Sequence, residues 1–318
     1  MKKFIPLILL ILSGIYCAHI SEAEKAFEQK DYEQTIRLCK LTLKNDSLNT
    51  KIMRLLSRAY VKTDSMILAR NTAELALKVS PESERNIRNL CDIYMTSAKN
   101  AELNKNFDYV LVWYNKASEL CPDNTKIVRK KADILLKLHY LDDSKQEYIK
   151  LKNAGKDSAG VTKILKKIEH EKNLSNSYYK KGLKYYKQNR LKSAEKAFKI
   201  SFDIDKSNDN ANYYYLLTSG RIELKFKKKK RIWNAIDFLG KASAIRQDKA
   251  EPHYYMAIAY EKKNREEFIN AIDEYKKALE LEPEGPLAKK CKAKIYTLSK
   301  RKKKLDDFWS RGRKKVKK

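Results

Sequence analysis

Glycine and proline are scarce, at 8 and 6 in 318 residues. So few turn-formers argue against a many-stranded sheet and suit long helices joined by short links. Histidine is scarcer still, and His19, His139, His170 and His253 lie far apart. His170-Glu171 lacks the second histidine, four residues after the first, that a helical zinc-protease site needs. There is no glycine-rich phosphate loop and no G-x-S-x-G turn. The five cysteines form no C-x-x-C pair, and no short Cys/His cluster has metal spacing. The chain is therefore expected to hold no metal and no cofactor, and not to be an enzyme. Cys39, Cys91, Cys121 and Cys291 show no disulfide framework, and Cys39 and Cys91 read as small buried hydrophobes.

Charge and apolar residues are abundant. Hydrophobic residues make up 42% and charged ones 35%, enough for an extended core beneath a highly charged surface. Lys and Arg number 70 against 40 Asp and Glu, a formal charge of +30. That excess speaks to partners rather than fold. It favours acidic proteins, anionic membrane surfaces, cell-wall polyanions or nucleic acid, although lysine-rich helix faces are often only solvated.

The N-terminus reads as a separate element. Lys2 and Lys3 precede an apolar run from Phe4 to Leu12, and Ser13-Gly14-Ile15-Tyr16 leads into Cys17. A positive flank and a short apolar region describe a secretory signal, and the run falls short of the ~20 residues of a membrane span. A cysteine in this place resembles a bacterial lipoprotein signal, which implies lipidation of Cys17. Tyr16 departs from the small residue such signals carry there. Cleavage after Ala23 and an uncleaved anchor are the alternatives. The expected location is exported, on the periplasmic side, with an N-terminal lipid anchor.

An internal period organises the rest. Gly182, Tyr185, Ala194 and Phe198 recur in kind as Ala257, Tyr260, Ala271 and Tyr275, followed by Ala278 and Pro283. Leu56-Ser57, Tyr60, Ala69, Ala73, Ala76 and Pro81 give the same order earlier in the chain. This pattern resembles the tetratricopeptide repeat family. The resemblance implies an all-α, right-handed superhelical solenoid of antiparallel helix pairs that binds proteins in its concave groove.

Anchored on the small residue of each first helix, the series is Ala23, Ser57, Cys91, Ala132, Gly182, Leu216, Ala257 and Ala293, with steps of 34, 34, 41, 50, 34, 41 and 36. The two extra sevens fall at Ser97–Lys105 and Lys225–Arg231 and are about two helical turns each. They predict lengthened hairpins. The step of 50 predicts one extra helix over Val161–Lys172. The expected organisation is a signal over 1–16, about four repeats over 17–156 and a linker helix over 157–173. About three repeats over 174–283, a capping helix over 284–300 and a basic tail over 301–318 complete it.

In such arrays the first helices line the groove. Three residues before the anchors stand Arg54, Arg88 and Arg129, with Lys51, Arg85 and Lys126 one turn earlier. In the later repeats the equivalent places hold Tyr179, Tyr213 and Tyr254, with Leu183 and Leu217 beside them. Arginine forks suit carboxylates, and tyrosines offer contact area at low entropy cost. Equally, the arginines could pair with Asp92 and Asp133, and the tyrosines could pack between repeats. The asparagine of the chaperone-type carboxylate clamp is absent, since Glu24, Arg58, Asp92 and Asp133 occupy its places.

Two basic clusters lie outside this groove, Lys225–Arg231 followed by Trp233, and the tail with Phe308 and Trp309. They are solvated segments or contacts to an anionic membrane or cell wall. The sequence thus predicts a non-enzymatic cell-envelope scaffold for acidic or peptide-like protein partners. The alternatives are a soluble exported adaptor with a polyanion-binding tail and a nucleic-acid-binding repeat protein. Export argues against nucleic acid.

Overall fold

A computed structural model describes residues 20–155, 158–226, 228–263 and 268–316, the last eight of these as backbone only. The expected signal and Cys17 lie outside the described residues. All regular structure among the described residues is helical. The helices form antiparallel pairs, α1 (20–28) with α2 (Tyr32–Asn45), α3 (Thr50–Lys62) with α4 (Met66–Val79), α5 (Glu84–Leu103) with α6 (Phe107–Leu120), and α7 (Thr125–Lys137) with α8 (Leu141–Asn153). They continue as α9 (Ser158–Lys187) with α10 (Leu191–Ile204), α11 (Asp209–Glu223) with α12 (Lys229–Ile245), and α13 (Ala250–Lys263) with α14 (Phe268–Leu281). A final helix, α15 (Ala288–Val316), packs on α14. This is the tetratricopeptide architecture of stacked helix hairpins.

Local chemistry sets the boundaries. Asn49 caps α3 by accepting the Ile52 amide at 3.1 Å, and Asn208 caps α11 by accepting that of Ala211 at 3.0 Å. Pro81, Pro122 and Pro283 follow α4, α6 and α14 by two residues, where a proline ring prevents continuation. The turns inside five pairs each place one non-glycine residue in the left-handed region, namely Lys30, Asp64, Lys105, His139 and Asn189. There the chain reverses with bonds such as Ser65 N–H to Tyr60 O at 2.8 Å and Arg190 N–H to Tyr185 O at 2.9 Å.

The chain divides into two compact units. One runs up to Lys137 and includes Asp143–Thr162; the other comprises Leu138–Asp142 and the chain from Lys163 onward. Neither hairpin can bury its inner face alone, so neighbours complete the core. In the first unit Ile52, Leu56, Tyr60, Leu90, Ile93, Tyr94 and Ile127 form it. In the second, Leu217, Ile232, Leu239 and Met256 make one cluster, and Ala257, Tyr275, Cys291 and Leu298 another. First helices of successive pairs touch directly, α3 with α5 and α11 with α13.

Four expectations need correction. The helix over Val161–Lys172 is not separate from the repeat that follows. It is the first part of the 30-residue α9, because no Gly or Pro interrupts 161–181. The capping helix does not stop at 300, since α15 continues through Val316. Ala293 is exposed, whereas Cys291 is fully buried with Tyr275 and stands 34 residues after Ala257, so Cys291 holds the small-residue place. Finally, Cys91 is not a lone hydrophobe. It is disulfide-bonded to Cys121, with Cα atoms 6.6 Å apart. The 30-residue separation hid this, because the two cysteines meet only when α6 folds back along α5. Cys39 and Cys291 are free and buried, and burial pushes the Cys39 thiol up to about 12.

Candidate functional site

The repeat positions fill the seams between helices. Ser57, Tyr60, Ala69, Ala194, Phe198, Ala257, Ala271 and Ala278 are buried, while Tyr185 and Tyr260 are half-buried. A Cβ on Gly182 would lie 2.5 Å from the Phe198 ring, so this crossing requires glycine. In the lengthened pair α11/α12 the close approach moves one turn along. There a Cβ on Gly220, not the side chain of Leu216, would meet Leu239 at 2.6 Å.

In the first unit the arginines of the predicted ladder have partners within the fold. Arg54 donates to Asn86 Oδ1 at 2.9 Å, and the buried Asn86 donates in turn to Ala76 O. Burial, then Arg85 and Arg58, lower the Arg54 pKa, with Glu24 opposing them. Arg88 pairs with Glu84 at 2.6 Å on an exposed helix surface, and Arg129 pairs with Asp133 at 3.5 Å over the Tyr148 ring. Lys51 pairs with Glu24 at 2.8 Å. Arg85 and Lys126 are exposed. The helices therefore use Arg54 and Arg129 to tie neighbouring turns and pairs together rather than offering three free forks.

A pocket of about 630 Å³ opens between α5, α6 and α7, lined by Asp92, Met95, Thr96, Lys99, Glu102, Leu103, Tyr114 and Lys130. The seven extra residues of this repeat make it, since they carry α5 on to Leu103 and supply Lys99, Glu102 and Leu103. Tyr114 is the buried floor. Partial burial raises the Asp92 carboxyl pKa against the downward pull of Arg58 and Lys126. Lys137 reaches Glu102 at 3.4 Å. The wall thus alternates acid, base, thioether and aromatic, a surface for a peptide rather than a uniform anion.

In the second unit the tyrosine rungs are mostly internal. Tyr213 is 3% exposed and Leu217 fully buried, so neither faces a groove. Tyr179, Tyr254 and Leu183 are half-buried. The rings of Tyr179, Phe198, Tyr214 and Tyr186 form one cluster, with Phe198 and Tyr214 stacked at 5.1 Å. Tyr254 packs on Tyr255 and Tyr275. Between Tyr186 and Tyr255 lies the Arg221 guanidinium, 4.7 Å from each ring centre and 3.4 Å from Glu251, to which Tyr186 also donates. Burial raises the Tyr186 and Glu251 pKa values. The Tyr186–Arg221–Tyr255 stack spans three successive first helices and locks them together. Its sequence signal was faint, because Tyr186 and Arg221 stand outside the repeat positions.

No protein-family model matches the chain, and no curated protein does. Solved structures similar to it include a tetratricopeptide repeat protein from Parabacteroides merdae, at 12% identity over 88% of this chain and 98% of that one, with a TM-score of 0.38. The yeast Sti1 TPR2AB domain in complex with pHSP90 matches at 14% identity over 90% and 99%, with a TM-score of 0.34. A MamA protein matches at 19% identity over 61% and 92%, with a TM-score of 0.27.

Proposed function

We propose that this tetratricopeptide-fold chain is a non-enzymatic scaffold of the bacterial cell envelope that holds a protein partner on the first-helix face of its first unit. The pocket between α5, α6 and α7 carries this reading. Its volume of about 630 Å³ accommodates one or two side chains of a peptide, and Met95 offers an adaptable apolar wall. Lys99 and Lys130 would pair with acidic residues of that partner, while Asp92 and Glu102 set its register.

The disulfide supports the exported location. Such bonds persist in oxidising compartments and are rare in the cytosol, and Cys91–Cys121 accords with the signal-like N-terminus. Mass spectrometry of the mature chain tests this part. A diacylated Cys17 fits a lipid-anchored scaffold, a start near Glu24 fits a soluble exported adaptor, and an intact Met1 in the cytosol overturns export.

The binding face is tested by photo-crosslinking in cells. A benzophenone side chain at Thr96 should join to a protein partner, whereas one at Leu75, exposed on a second helix, should not. Equal products from both positions, or none from Thr96, would overturn the assignment.

A further inference from the structure

The two basic clusters are far apart in sequence, yet the topology of the second unit brings them to one edge. First helices run toward the turns inside each pair, and the α11/α12 turn carries exposed Lys225, Lys228, Lys229 and Lys230. The end of α13 lies beside that turn, since Lys262 donates to Leu224 O at 2.5 Å and Lys263 covers the Trp233 ring at 4.3 Å. α15 runs the same way, and its Lys294 pairs with Glu261 near the end of α13 at 2.9 Å. A 34-residue repeat would end α15 near Thr297, but the helix continues to Val316. At 1.5 Å per residue, about 28 Å of helix passes beyond the turns.

Charge concentrates on this edge. Beyond Thr297, α15 holds nine Lys and Arg against two acidic residues, Asp306 and Asp307. Among the described residues, two nearby carboxylates are engaged, Glu223 by Arg231 at 2.7 Å and Glu261 by Lys294 and Tyr275. Large apolar side chains concentrate there too. Phe226, Trp233, Ile269 and Phe308 are 42%, 46%, 56% and 66% exposed; Phe226 is in the α11/α12 turn, Trp233 and Ile269 are near the starts of α12 and α14, and Phe308 is on the projecting helix. No helix among the described residues is long and apolar enough to cross a membrane, so a contact made here lies along a surface.

We propose that this edge is a docking surface for an anionic phospholipid bilayer. Lysines on the turn and on α15 face the headgroup phosphates, and Phe226, Ile269 and Phe308 enter the interfacial layer. An exposed aliphatic side chain among the cations favours a bilayer over nucleic acid, whose stacking sites are aromatic. The docking edge is independent of the peptide pocket, which belongs to the other unit.

Flotation of the full-length chain with vesicles tests it, using phosphatidylcholine alone against equal parts phosphatidylcholine and phosphatidylglycerol. The apolar N-terminal segment contributes to both, so the ratio isolates the charge-dependent part. The wild-type chain should prefer the anionic vesicles by well over a hundredfold. At about fivefold per lysine, K228Q/K229Q/K230Q and K300Q/K303Q/K304Q should each reduce that preference by about a hundredfold. K277Q/K289Q/K290Q, at the opposite end of α14 and α15, should leave it within about twofold of wild type, a small change beside the fivefold of a single docked lysine. An equal loss in this third variant, no wild-type preference, or displacement of the vesicles by single-stranded RNA would overturn the proposal. Far-ultraviolet circular dichroism confirms that each variant remains folded. Thr96 crosslinking, unaffected in all three, separates this outcome from the pocket reading.

Discussion

Removing the disulfide should weaken the first unit selectively. Cys91–Cys121 closes a segment of 30 residues. Loop-closure entropy for that length is about 12 cal/mol/K, or about 3.6 kcal/mol at 25 °C, as an upper figure for the unfolded-state constraint. The bond also fixes α5 against α6 next to Asp92 and Met95, so its loss should be felt at the pocket. Hydrogen exchange of the oxidised chain, the chain in dithiothreitol and Cys91→Ala/Cys121→Ala should show it. Amides of α5 and α6 should lose about 2–4 kcal/mol of protection in both altered forms, while those of α11 to α14 stay within about 0.5 kcal/mol. Reduction without substitution leaves the side-chain volume nearly unchanged, so agreement between the two forms separates the crosslink from a cavity effect. Unchanged protection in α5 and α6 after reduction would refute the reasoning, as would an equal loss in both units.

Three further outcomes follow from packing, backbone and ionisation. Gly182→Ala and Gly220→Ala force a Cβ to within 2.5 and 2.6 Å of Phe198 and Leu239, so each should destabilise by about 1–3 kcal/mol in urea melts. Gly240→Ala, with nothing within 4 Å of its Cβ, should instead stabilise α12 by about 0.5–1 kcal/mol. Lys105 holds φ 55°, and Lys105→Gly should raise stability by up to about 1 kcal/mol by relieving a left-handed side-chain clash; a lower melting temperature would contradict this. Burial pushes the Tyr213 phenol well above its ordinary value. Its folded pKa exceeds the unfolded one of ~10, so its contribution is complete below pH ~10 and declines as pH rises above that. Tyr213→Phe should therefore make the alkaline loss of stability shallower by about 1.4 kcal/mol per pH unit, and identical slopes would refute the assignment.

The repeat was legible because its signal is steric and local. Gly182 and Phe198 meet inside one hairpin, so their spacing records the contact directly. What was lost involved a second geometric step. The partner of Cys91 is set by how far α6 slides along the lengthened α5, which no spacing rule for disulfides captures. Tyr213 and Leu217 were placed on the surface by counting from Leu216, but the crossing at Gly220 shows that the longer hairpin turns those positions inward. Arginine spacing likewise put Arg54, Arg88 and Arg129 in register but gave no sign of their partners, because Asn86 reaches Arg54 from the following helix pair.

These errors share a cause, and it bears on where function sits. A helix pair of standard length spends its polar residues on its neighbours, as Arg54 of α3 does on Asn86 of α5. Chemistry directed at a partner needs backbone that no neighbour covers. The chain provides such backbone where a helix or turn exceeds the repeat length, in the overhang of α5, in the α11/α12 turn and in α15 beyond Leu298. The first lines the pocket with Lys99, Glu102 and Leu103, and the other two carry the lysines of the basic edge. Departures from the 34-residue period are thus where the proposed binding surfaces of this chain lie, whereas the side chains of the repeat positions hold the helices together.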